Sequence, residues 1–148
     1  MKKAIKLFIK FLRGKELKLT PQREKVINTF LDVQKHLTVE DLYNIIKKKE
    51  PSLGQATVFR TLKLLVEAGI AEEVDFGDKK TRYEVKYGHQ HHDHIVCIKC
   101  GKFIEAMDPK IESLQKKLCE KFSFKPLRHK LKIFGICKQC QKKKRGEN

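Results

Sequence analysis

Residues 55–85 read QATVFRTLKLLVEAGIAEEVDFGDKKTRYEV, and this stretch decides the fold. Val58, Leu62, Leu65 and Val66 fall three and four apart, which predicts a helix over 55–68 burying one face. Gly69 stands where such a helix closes in the left-handed conformation. The character then changes to short β-forming runs at 71–76 and 81–85, separated by Gly77-Asp78-Lys79-Lys80, the chemistry of a hairpin turn. Helices that run into a hairpin make a winged helix-turn-helix, provided other helices precede them.

Three helical patterns do. Ala4, Ile5, Phe8, Phe11 and Leu12 recur at helical spacing, and Lys2, Lys3, Lys6 and Lys10 occupy the opposite face. A membrane-surface helix is the rival reading of that segment. Thr20-Pro21 reads as an N-cap and first helical residue ahead of Val26, Ile27, Phe30 and Leu31. Thr38 and Asp41 form a weak variant of the capping box before Val39, Leu42, Tyr43, Ile45 and Ile46, in a helix that must stop near Glu50-Pro51.

On the other side of the hairpin, at Tyr87-Gly88, the composition shifts. His89, Gln90, His91, His92, Asp93 and His94 follow, and every cysteine comes after them. This places a winged-helix domain at 1–86, a hinge at 87–90, a second domain at 91–141 and a basic disordered tail at 142–148. The second domain reads as a strand (91–98), a CxxC turn and a strand (103–106). A helix follows from Asp108-Pro109 with Ile111, Leu114, Leu118 and Phe122 on one face, then a strand (127–134) and another CxxC turn. The fold class is α+β, an N-terminal winged helix-turn-helix domain followed by a small α/β domain.

The chain has 148 residues, with 34 Lys and Arg against 18 Asp and Glu, a formal charge of +16. A polyanion is the partner class such an excess attracts, and nucleic acid leads it. At 40% hydrophobic residues the sequence can bury one modest core or two small ones, while 35% charged residues and no Trp argue against a large enzymatic domain. No apolar run approaches the roughly 18 to 20 residues of a membrane helix, and Lys6 and Lys10 interrupt what would be a secretory signal. A cytoplasmic chain with no membrane partner and no small-molecule substrate is expected.

Cys97-Ile98-Lys99-Cys100 and Cys137-Lys138-Gln139-Cys140 put four thiolates in two tight turns, the donor set that a tetrahedral Zn²⁺ satisfies. With all four positions filled by protein, the zinc is structural, joining the start of the second domain to its end. Cys119 stands apart as a core or boundary residue of the helix.

Four histidines within six residues form a second motif. On a strand, His92 and His94 share one face while His91 and Asp93 share the other, so one tetrapeptide can serve two metal sites. His36, Glu84, Glu105, Glu112 and His129 are available to complete them. Mixed imidazole and carboxylate donors suit Fe²⁺, Mn²⁺, Co²⁺ or Zn²⁺ rather than Ca²⁺ or Mg²⁺. Residues 89–94 also satisfy the HxHxDH pattern of metallo-β-lactamase-like hydrolases. Those are large αββα sandwiches, and the roughly 60 residues that follow are too few to build one. No catalytic residue is assigned.

Taken together, these motifs resemble the ferric uptake regulator family of metal-dependent bacterial transcription regulators. The likeness rests on residues 17–23, 36–43, 56–62 and 68–70, His91-His92-Asp93-His94, Cys97 to Gly101 and the closing cysteine pair. The resemblance implies a homodimer with a C-terminal dimerisation domain, binding a palindromic double-stranded DNA operator when a regulatory metal is present, most simply as a repressor. Carried over by position, it implies a sensory site of His36, Glu84, His92, His94 and Glu105, taking Fe²⁺, Mn²⁺ or Zn²⁺. It implies an additional site of His91, Asp93, Glu112 and His129 for zinc or iron, and DNA contacts from Lys18, Thr57, Phe59 and Arg60. The family usually has Tyr where this chain has Phe59, so a hydroxyl contact to one base is missing. Arg60 can bind a guanine edge or a phosphate. The peroxide-sensing branch tends to use Asp where this chain has Glu84 and Glu105, which favours an iron sensor, with zinc- and manganese-sensing branches sharing most ligands.

Overall fold

In the computed structural model, residues 2–33, 35–88, 93–127 and 129–143 are described. They divide into two compact units: 2–75 with 79–88, and 76–78 with 93–143.

The first unit holds helices α1 (Lys2–Gly14), α2 (Pro21–Val33), α3 (Val39–Lys47) and α4 (Gln55–Glu67), then strands β1 (Ala71–Asp75) and β2 (Thr81–Val85). Ala4, Phe8 and Leu12 carry α1 into the core, and its lysine face stays exposed. The Thr20 hydroxyl oxygen accepts from the Arg23 backbone N–H at the head of α2. At α3 the capping box is complete: Thr38 Oγ1 accepts from the Asp41 N–H at 3.1 Å, and Asp41 Oδ2 accepts from the Thr38 N–H at 2.9 Å. Leu42 and Ile46 are buried on this helix, whereas Ile45 faces outward.

Helix α4 buries Val58, Thr61, Leu62 and Leu65. Val66 is only half-buried, and Thr61 takes the remaining inward position because its hydroxyl donates to the Thr57 carbonyl at 2.7 Å, satisfying the buried group. Gly69, at φ +71°, closes the helix, and the Ile70 N–H returns to the Leu65 carbonyl at 2.9 Å, delivering Ile70 to the core. Strands β1 and β2 then pair antiparallel from Ala71 opposite Val85 to Asp75 opposite Thr81. Leu37 adds a single bridge to Tyr83, exchanging backbone hydrogen bonds of 3.0 and 2.8 Å.

The second unit contains β3 (Asp93–Cys97), β4 (Phe103–Ala106), α5 (Pro109–Lys121), β5 (Lys132–Gly135) and α6 (Lys138–Lys143). Its sheet has the order β4-β3-β5, with β4 antiparallel and β5 parallel to β3. Asp108 caps α5 by accepting from the Lys110 N–H at 2.7 Å, ahead of Pro109.

Two expectations are corrected. Of the strand expected over 127–134, the described residues form β5 at Lys132–Gly135 alone, where β3 offers a parallel partner, and Leu127 is 91% exposed. Lys142 and Lys143, expected in a disordered tail, end α6, which begins with the Gln141 N–H bonding the Cys137 carbonyl at 3.0 Å. Basic side chains in a last helical turn complement the helix dipole. The apolar stripe of α5 is present but largely open: Ile111 is half-buried, while Leu114, Leu118 and Phe122 are 64%, 59% and 64% exposed. Residues 144–148, the rest of the expected tail, lie outside the described residues.

Candidate metal centres and nucleic-acid interface

The cysteine turns are built by backbone hydrogen bonds. Cys97 ends β3, the Gly101 N–H bonds the Cys97 carbonyl at 2.9 Å, and Gly101 takes φ +71°, so the chain reverses sharply after Cys100. Cys137 follows β5 and Cys140 lies on α6. All four sulfurs lie within 4.8 Å of one another, with Cys100 and Cys137 Sγ 3.7 Å apart. Zinc–sulfur bonds of about 2.3 Å in a tetrahedron give an edge of about 3.8 Å, so the set fits that ion. The thiols need it: the Cys137 N–H, at 3.3 Å from Cys97 Sγ, and the Cys100 N–H pull the Cys97 thiol down to about 6. Cys140 is pushed up to about 12 by the hydrogen bonds it shares with Cys100 and Cys137. Four sulfurs this close cannot all release their protons without a cation among them. Cys119 is half-buried on α5, away from this set.

The donors expected at the sensory site occur as two pairs of imidazole and carboxylate, one in each unit. In the first unit, the Leu37–Tyr83 bridge aligns the flanking residues, and His36 Nε2 lies 2.6 Å from Glu84 Oε2 with both side chains largely buried. In the second, β3 and β4 put buried His94 directly opposite Glu105, on one face of the sheet. His92 lies outside the described residues.

The other face of β3 carries Asp93, buried at 4% exposure. Asp93, Glu112 of α5 and His129 bring one donor atom each within 4.8 Å of one another, and His129 Nε2 is 3.1 Å from Glu112 Oε1. Two carboxylates and an imidazole at this spacing match a hard or borderline divalent cation. His91, expected to join them, lies outside the described residues, as do His89 and Gln90.

Among the residues expected at DNA, Thr57, Phe59 and Arg60 lie in the first two turns of α4. Arg60 and Phe59 are exposed, Phe59 at 46%, so the ring is not a core aromatic. Lys18 is exposed in the α1–α2 connection, whose path is fixed by the Arg23 guanidinium donating to the Lys18 carbonyl at 2.6 Å.

Sequence reading placed Phe76 at the end of a strand and gave it no further part. In the structure it lies beyond β1, 4% exposed, stacked on Phe103 and edge-on to His94. The available signal was a large aromatic entering a turn otherwise made of Gly, Asp and Lys.

Comparison with known proteins follows the same lines. Residues 14–134 match the profile of the ferric uptake regulator family. The ferric uptake regulation protein of Bacillus subtilis is 39% identical over 137 residues, 90% of this chain and 92% of that protein. That of Campylobacter jejuni is 41% identical over 139 residues, 93% of this chain and 88% of that protein. Among solved structures, the Helicobacter pylori ferric uptake regulator, described with three functional metal-binding sites, superposes with a TM-score of 0.83 at 31% identity. It covers 95% of this chain and 93% of its own. These relatives are regulators rather than enzymes, which removes the hydrolase reading of residues 89–94.

Proposed function

The chain belongs to the ferric uptake regulator family and is a metal-dependent transcriptional regulator; on that premise we propose that it is an iron-responsive repressor, binding a palindromic operator as a cytoplasmic homodimer. The observation that carries this reading is the pairing of like donors in separate units: His36 with Glu84 in one, His94 with Glu105 in the other. One Fe²⁺ held by both pairs together with His92 fixes the angle between a DNA-binding half and a dimerisation half. That angle sets the separation of the two α4 helices, which must match successive major grooves. Mixed nitrogen and oxygen donors also accept Mn²⁺ or Zn²⁺, and intrinsic affinity favours Zn²⁺ over Fe²⁺, so cellular supply decides the ion sensed.

The remaining assignments follow. Zn²⁺ at Cys97, Cys100, Cys137 and Cys140 holds the second domain together, and Asp93, Glu112, His129 and His91 take a further zinc or iron. Thr57, Phe59 and Arg60 read or grip the major groove, and Lys18 reaches toward a minor groove. The exposed stripe of Leu114, Leu118 and Phe122 supports the dimer, because an apolar helix face left open on one chain is stabilised by a second copy.

The test is selection of duplexes from a random pool, followed by titration of the selected duplex with protein retaining only its cysteine-bound zinc. Addition of Fe²⁺ or Mn²⁺ is expected to raise affinity by about 5- to 150-fold, the range of one coupled site. His94→Ala is expected to remove that gain. Equal affinity with and without metal overturns the reading.

A further inference from the structure

Two rings cover part of the sheet face that carries His94. On this face β3 presents His94 and Val96, and β4 presents Glu105 and Phe103 in register with them. Phe76 stacks on Phe103 with ring centroids 4.6 Å apart and planes 19° apart, and meets His94 in an edge arrangement at 5.7 Å and 61°. The next residue is fitted to the same surface. Gly77 has φ +78°, a conformation that favours glycine, and a Cβ there would come within 3.1 Å of the Phe134 ring, which would have to shift by a few tenths of an ångström.

We propose that Phe76 is a positioning residue that orients the His94 imidazole toward its metal. The proposal rests on the reading of His94 as a ligand of the sensory ion. The second side-chain torsion of histidine is broad, so an imidazole with no wall beside it samples many ring orientations, and binding a metal must freeze them. Phe76 supplies that wall on one side, and its stack on Phe103 keeps the wall in place. Phe76 follows β1 directly in the chain.

The test uses full-length protein with its cysteine site filled by zinc, titrated with Co²⁺, whose visible absorption reports ligand number and geometry. Phe76→Leu keeps apolar volume without a ring edge and Phe76→Ala removes both. Phe76→Leu is expected to weaken Co²⁺ binding about 10-fold, the lower end of what removing a ligand's supporting partner costs, and to change the absorption envelope. Zinc content and far-ultraviolet circular dichroism stay those of the parent. Wild-type affinity and spectrum in Phe76→Leu, whatever its thermal stability, overturn the proposal; should Phe76→Ala lose its fold, Phe76→Leu decides alone. If Co²⁺ binding by the parent is indifferent to His94→Ala, the ligand reading itself fails, and the proposal with it.

Discussion

Cys100 Sγ lies 3.7 Å from Cys137 Sγ across 37 residues of chain, the separation that two ligands of one tetrahedral zinc require. Because such a site does not exist in the unfolded chain, its binding free energy becomes folding free energy. Chelation of zinc, or Cys137→Ser, is therefore expected to abolish the unfolding transition of the second unit and leave that of the first. Calorimetry paired with a zinc assay checks this, and a second unit that melts unchanged without zinc would contradict it.

The capping box at α3 makes a prediction for stability and pH. Thr38→Ala is expected to cost about 1 kcal/mol. Bonding from the Thr38 side chain and then its backbone N–H holds the Asp41 carboxyl below its ordinary 3.8. A depressed acid stabilises the fold above its unfolded value, and that contribution is lost as pH falls through the folded one. The gap between parent and Thr38→Ala should accordingly narrow as pH falls below 3.8 without closing, since the bond from the Asp41 N–H to Thr38 Oγ1 does not titrate, and denaturant titrations at pH 7 and at acid pH would measure this.

Leu118 lies 59% exposed on a helix with no buried residue. Leu118→Glu is expected to yield a monomer that retains its zinc, seen by sedimentation velocity. A variant that stays dimeric would place the contact elsewhere.

These elements also mark what sequence can and cannot reveal. The periodic helices were legible because Phe8, Phe30, Leu42 and Leu62 each recur with neighbours three or four apart and meet one core. The α5 stripe has the same periodicity, yet Leu114, Leu118 and Phe122 stay exposed, since periodicity records that a face is apolar and not where its complement lies. Leu127 failed as a strand residue because a strand needs a neighbour, and on its parallel side β3 pairs with 132–135. At the cysteine turns, residue type and spacing announced the four thiolates, whereas the grouping of the histidines and carboxylates came only with the family resemblance. Spacing alone could not bring His36 to Glu84, since that closeness follows from one isolated bridge, Leu37 to Tyr83, between segments distant in sequence.

Arg60 distinguishes two modes of DNA contact. If its guanidinium grips a phosphate, Arg60→Ala flattens the slope of log affinity against log salt by about 0.9 for each protomer of the bound dimer and weakens all duplexes alike. If it reads a guanine edge, the slope stays and discrimination at one base falls by about 1–3 kcal/mol. Salt-dependent titrations on the selected duplex and a single-base variant separate the two. An effect on neither would remove Arg60 from the interface.

The central claim is that one ion, shared by the His36–Glu84 and His94–Glu105 pairs, couples metal to DNA. Linkage makes that coupling reciprocal: DNA must raise metal affinity by the factor by which metal raises DNA affinity. The most direct measurement is the Mn²⁺ dissociation constant of zinc-loaded protein, free and saturated with the selected duplex. The account predicts tighter binding on DNA by that same factor, abolished in His36→Ala; an identical constant in both states would contradict it.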